Sequence, residues 1–179
     1  SVVVVNFNVQ EYVANLFTSL YRASNGLHLE IFLIDNSSIE GSIPYLKERF
    51  PAVNYIRNKD NVGFGKANNQ AIMQAKGKYT LIINPDTLVS EDTLHSCMQA
   101  MQKDPKIGAL GCKILNADGS YAPESKRSFP SIWSSFCKAS GLTALFPRSK
   151  RFGSYYMNAL GEDDEGYIPV LSGAFMFFD

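Results

Sequence analysis

The chain has 179 residues, 45% hydrophobic and 19% charged, and lysine plus arginine balances aspartate plus glutamate at 17 each. That composition suits one soluble domain with a real core, and it argues against disorder and against a nucleic-acid binder with an overall basic field. Cys97, Cys112 and Cys137 are odd in number and lack a C-x-x-C pair, which argues against a zinc module or a disulfide framework and favours a reducing cytosol. No apolar run approaches a membrane span, and Ser1 leads into a strand without a signal-peptide pattern. Peripheral association with a membrane surface stays open.

Val2 to Val5 is an all-valine run that predicts a buried parallel strand ending in the polar Asn6-Phe7-Asn8. Tyr12, Val13, Leu16, Phe17, Leu20 and Tyr21 recur at helical spacing, and Asn25-Gly26 closes that helix. Leu29 to Ile34 is a second strand stopped by Asp35-Asn36-Ser37-Ser38, so a βαβ unit is complete. A short helix over Pro44 to Phe50 and a strand over Val53 to Ile56 follow. Gly63-Phe64-Gly65-Lys66 opens a helix with the small-residue face Ala67, Ala71, Ile72 and Ala75, and Gly77 ends it. Tyr79 to Ile83 is an apolar strand cut off by Asn84-Pro85-Asp86, because proline cannot donate to the ladder.

Beyond it, Leu94, Cys97, Met98 and Met101 form a core-facing helical stripe that stops before Asp104-Pro105. Ile107 to Leu115 reads as a strand, and Asn116-Ala117-Asp118-Gly119 as a hairpin turn into Ser120-Tyr121-Ala122. From Pro123 the alternation breaks down among aromatics, Pro130, Pro147 and the acidic Glu162-Asp163-Asp164-Glu165, with one helix expected over Ser131 to Ala139. Ile168 to Leu171 and Ala174 to Phe178 restore order on either side of Ser172-Gly173. The chain stops within this apolar run, so a longer protein is expected.

The predicted fold class is α/β, a Rossmann-like and mostly parallel sheet flanked by helices. In such a sheet the strand ends carrying Phe7, Asp35 and Asp86 fall on one edge, where ligands bind. An aromatic ring such as Phe7 can stack on a nucleobase, and a carboxylate such as Asp35 can accept the ring N–H of uracil or thymine. Asp86 is a hard oxygen ligand suited to a divalent cation shared with a diphosphate. Lys66, at a helix start after two glycines, is a candidate diphosphate contact. Singly, core packing for Phe7 and turn or cap roles for Asp35 and Asp86 fit as well. The Gly-x-Gly lacks the third glycine of a dinucleotide fingerprint and is no Walker A motif. His28 and His95 are given no role.

Five segments occur in the order seen in family 2 glycosyltransferases: Val2 to Asn8, Ile34 to Ser38, Asn61 to Asn69, Asn84 to Thr87 and Asp104 to Gly108. The chain most resembles the rhamnosyltransferase-type branch, over roughly residues 1 to 128, and Leu171 to Met176 resembles a later block. The resemblance implies an A-type glycosyltransferase fold, also called the nucleotide-diphospho-sugar transferase fold. It also implies a uridine or thymidine diphosphate sugar as donor, a saccharide or lipid-linked acceptor, Mg2+ or Mn2+, and inversion at the anomeric carbon. It implies donor nucleotide-binding positions at Asn6, Phe7, Asn8, Asp35, Asn36, Gly63, Lys66, Asn69, Asn84 and Asp86, with the metal on Asp86 alone because Pro85 departs from the fuller acidic motif. Arg127, Ser172, Gly173 and Ala174 are candidate donor or acceptor contacts. Residues 1–179 would then be a single transferase domain incomplete at its C-terminus, 1–128 binding donor and 129–179 beginning the acceptor side. The general base is expected beyond Asp179, and the acidic Glu162 to Glu165 reads as a solvated loop. The alternatives are a sugar-1-phosphate nucleotidyltransferase and a non-catalytic binding module; the first would need a glycine-rich, basic first loop, which Asn6-Phe7-Asn8 does not offer.

Overall fold

The computed structural model describes residues 1–38, 42–129, 131–146, 149, 152, 155, 157 and 160–179. They form two compact units, the first comprising Ser1–Leu110 with Gly173–Asp179 and the second Gly111–Ser172. Pro130 and Pro147, expected to interrupt the irregular region, lie outside the described residues.

In the first unit β1 (Val2–Asn6), α1 (Gln10–Ala23), β2 (Ile31–Asp35), α2 (Ser42–Arg49), β3 (Asn54–Arg57), α3 (Phe64–Ile72), β4 (Thr80–Ile83), α4 (Thr93–Lys103) and β5 (Ala109–Leu110) follow in order. The closing strand β8 (Phe175–Phe178) returns to the same sheet, whose strand order is β3-β2-β1-β4-β8-β5. The β1–β2, β2–β3 and β1–β4 pairs are parallel, whereas β8 runs antiparallel to both β4 and β5. The sheet is therefore mostly parallel and flanked by helices, as the sequence predicts.

Burial explains the unbroken apolar strands. Val3, Phe32, Ile34 and Ile82 pack with Ala67 and Ala71 of α3, whose small side chains let the helix lie close to the sheet. Val4, Leu33, Leu81 and Ile83, at the alternate positions and so on the opposite face, are buried as well. A strand covered on both faces has no polar position to spare. On α1, Phe17 meets the Phe50 ring edge-on at 5.2 Å.

Two expectations are corrected. Of the strand expected over Ile107 to Leu115 only Ala109–Leu110 pairs in the sheet, and Leu115 instead bridges Tyr121 across the predicted hairpin. Gly108 and Gly111 bracket the paired residues, and glycine weakens a strand interior. Tyr12, placed by helical spacing on the inward face of α1, is 57% exposed.

In the second unit β6 (Lys126–Arg127) pairs antiparallel with β7 (Val170–Leu171), and α5 (Ile132–Ala139) and α6 (Leu142–Leu145) lie between them in sequence. The acidic Glu162 to Glu165 is exposed as expected, and Asp163 pairs with Lys113 at 2.7 Å. Their hydrogen bond holds the Asp163 carboxyl below its ordinary pKa.

Candidate active site at the carboxyl edge of the sheet

Parallel β1, β2 and β4 stop at the same edge, and the polar ends of β1 and β2 are tied together there. Asn6, fully buried, donates from Nδ2 to Asp35 Oδ1 at 2.9 Å and to Ser38 Oγ at 3.0 Å. Ser38 Oγ also accepts the backbone N–H of Asn8 at 2.9 Å, and the Asn36 N–H reaches the Asn6 carbonyl at 2.8 Å. Asn8 and Ser37 both hold left-handed backbone, φ 59° and 68°, a conformation that costs a non-glycine residue about 1–2 kcal/mol. Strain of this kind persists only where surrounding contacts over-determine it, and the Asn6–Asp35–Ser38 knot supplies them.

Asp35 is 0% exposed, and its Oδ2 has no hydrogen-bond partner among the described residues. The nearest compensation is the guanidinium of Arg57, whose Nε lies 3.6 Å away in an ion pair that is half open to solvent. A buried carboxylate oxygen left without a hydrogen-bond donor costs free energy, which the Arg57 ion pair offsets in part.

These strand ends border a cleft of about 710 Å³. Phe7, half exposed, lines it together with Tyr12 from α1 and Phe64 from the first turn of α3; Asn36, Asn84 and Asp86 contribute to the polar lining. Asp86 is the only carboxylate among the described residues that line it. No cluster of three or more histidine, cysteine, aspartate or glutamate side chains suited to a metal occurs among the described residues.

Of the candidates named from sequence, Phe7, Asn36, Asn84 and Asp86 thus share one hollow, whereas Asn6 and Asp35, bonded to each other and fully buried, do not line it. Asn8 joins the same knot through Ser38. Gly63 precedes α3 with φ 83°, a backbone that disfavours any L side chain, and its N–H donates to Asn61 Oδ1 at 3.0 Å. Lys66 and Asn69 are exposed on α3 but do not line the cleft, where Phe64 stands instead. Because β8 is antiparallel, its first residues arrive at this same edge, and the Ala174 carbonyl accepts the Asn84 N–H at 3.1 Å just after Gly173. Arg127 and Ser172 belong to the second unit. Arg127 is no open surface residue: it sits in β6, partly buried, with Nε lacking a hydrogen-bond partner among the described residues.

The sequence reading missed Tyr12, Phe64 and a run of side-chain amides. Asn36 donates to Asn61 Oδ1 at 3.0 Å, and Asn58 donates to Asn36 Oδ1 at 2.9 Å and to Gln70 Oε1 at 3.1 Å. Gln70 returns a bond to Asn58 Oδ1 at 3.0 Å. The density of asparagine after each strand was the available signal.

Residues 1–173 match the profile described as Glycosyl transferase family 2. The chain belongs to that family. Among curated relatives of this family 2 chain, the N-acetylglucosaminyl-diphospho-decaprenol L-rhamnosyltransferase of Mycobacterium tuberculosis is 27% identical over 184 residues, which cover 97% of the chain and 59% of the relative. The chain thus spans about 59% of that protein's length. The solved mannosyltransferase PcManGT of Pyrobaculum calidifontis, in complex with GDP-Man and Mn2+, matches at TM-score 0.64 and 18% identity, covering 99% of this chain and 43% of that one. Staphylococcus aureus TarS in complex with UDP-GlcNAc matches at TM-score 0.57 and 21% identity, over 74% and 37%. These likenesses establish the A-type glycosyltransferase fold for the family 2 chain.

Proposed function

We propose that this family 2 chain is the donor-binding part of an inverting, metal-dependent glycosyltransferase, moving a sugar from a nucleotide-diphosphate donor to a saccharide or lipid-linked saccharide. The observation that carries the reading is the cleft at the strand ends, which the open ring of Phe7 and the lone carboxylate of Asp86 line together. Phe7 stacks on the base, Asp35 Oδ2 accepts the ring N–H of a uracil or thymine, and Asn6 fixes the Asp35 rotamer from the other oxygen. The glycine-led start of α3 offers backbone N–H groups to the diphosphate, and Lys66, exposed in that first turn though outside the cleft lining, adds positive charge nearby.

A divalent cation fits this donor set, because Mg2+ or Mn2+ shared with a diphosphate needs only one or two protein carboxylates, and Asp86 is exposed in the cleft. When bound, such an ion neutralises charge on the departing diphosphate. In the reaction the acceptor hydroxyl oxygen bonds to the anomeric carbon from the face opposite the diphosphate. The anomeric C–O bond breaks, and its electron pair leaves with the nucleoside diphosphate. The hydroxyl proton passes to a carboxylate base, which we place beyond Asp179. The name of a relative that carries a rhamnosyl group to a lipid diphosphate, and a neighbour solved with UDP-GlcNAc, support a role in glycan assembly.

Calorimetry with uridine or thymidine diphosphate tests this directly. Binding is expected in manganese, reduced by chelator, and Asp86→Ala is expected to match the chelator result without changing the melting temperature. No heat at millimolar nucleotide with manganese present would falsify the donor reading.

A further inference from the structure

In the second unit α5 is turned inside out. Its buried positions are Ser134 and Cys137, while Ile132 is 93% exposed, Phe136 55% and Trp133 42%. The rings continue beyond the helix: Trp133 stacks on Phe136 at 5.9 Å and lies 6.2 Å from Phe152, which is 5.5 Å from Phe146. Leu145 and Phe146 on the following turn are exposed as well. Contiguous apolar surface of this kind marks a face that something covers.

Charge says what covers it. Between Arg127 and Gly161 the sequence carries four basic residues, Lys138, Arg148, Lys150 and Arg151, and no aspartate or glutamate, in a chain that totals 17 residues of each charge. An exposed aliphatic and aromatic face within a purely basic segment suits the boundary between anionic headgroups and acyl chains. A nucleic acid would use the charge and the rings, but it offers nothing to the aliphatic Ile132 and Leu145. We infer that the α5 face of the second unit docks on an anionic phospholipid bilayer. The inference stands on the second unit alone and survives a failure of the donor reading.

Trp133 is the only tryptophan in the chain, so its emission reads this face directly. With phosphatidylglycerol vesicles the emission of the 179-residue chain should shift to the blue and be quenched by lipids brominated on the acyl chains. Raising salt to about 1 M, where the Debye length is near 3 Å, should release the protein. The double variant Ile132→Ser, Phe136→Ser should partition at least about tenfold more weakly, since two large apolar side chains no longer enter the acyl boundary. Both positions are exposed, so its thermal melt and its nucleotide binding should match the parent. Unchanged emission on phosphatidylglycerol vesicles overturns the inference. So does an equal shift on neutral phosphatidylcholine, a shift produced by an oligonucleotide, or one that appears with protein concentration alone and so reports a second copy on this face.

Discussion

Single side chains at the strand ends divide the work of the cleft by their burial. Asp35 is sealed in and keeps one oxygen without a donor, so its contribution depends on what the other oxygen does; Asn6 holds that one. Phe7 is half exposed and packs little, so its ring is available without much of the fold depending on it. Phe7→Ala should therefore weaken nucleotide affinity by about 1–3 kcal/mol, the range for losing one base–aromatic stack, and leave the denaturation midpoint nearly unchanged. Calorimetric titration beside a urea melt separates the two effects, and an equal loss in both would make Phe7 a packing residue instead. Lys66 and Asn69 illustrate the reverse case, since their motif was readable but the lining at that turn of α3 is Phe64.

At the scale of elements, two devices fix loops to the sheet. The amides of Asn36, Asn58, Asn61 and Gln70 connect the end of β2, the segment after β3 and the body of α3, ending on the Gly63 N–H. Asn58→Ala leaves Asn36 and Gln70 each short of a partner, which should cost about 1 kcal/mol in urea unfolding. It should also weaken diphosphate binding, because the turn before α3 loses its tether. The second device is Tyr55 of β3, whose single hydroxyl proton is shared between the Leu46 carbonyl at 2.8 Å and the Phe50 carbonyl at 3.1 Å, closing the end of α2. Burial, with a smaller contribution from Tyr21, pushes its pKa up to about 12 from an ordinary value of 10. The folded state thus holds this proton more tightly than the unfolded chain does. Stability from Tyr55 should be intact below pH 10 and fall as pH rises from there toward about 12. Tyr55→Phe should flatten that decline in thermal melts recorded across the alkaline range.

Over the whole molecule, what the sequence made legible follows from how each strand is solvated. Val2 to Val5, Ile31 to Ile34 and Leu81 to Ile83 are covered on both faces, so each is an uninterrupted apolar run, and the change to Asn6, Asp35 and Asn84 marks the sheet edge residue by residue. Periodicity places Tyr12 on a helix face but cannot say whether a neighbour covers that face, and here the cleft opens beside it. The apolar run Ile168 to Leu171 announced β7, but its partner Lys126–Arg127 is too short and too polar to give any alternation, so β6 had no local signature. Nor does any local pattern reveal that β8 lies antiparallel between β4 and β5. That insertion orders assembly in time. Among the described residues β5 has only β8 for a sheet partner, although some sixty residues of the second unit intervene, so β1 to β4 can associate while the chain is still being made but the far flank cannot. Until Phe175 to Phe178 leave the ribosome, the flank of β4 that faces away from β1 is an unprotected edge, and the nascent protein is most prone to wrong partners during that interval.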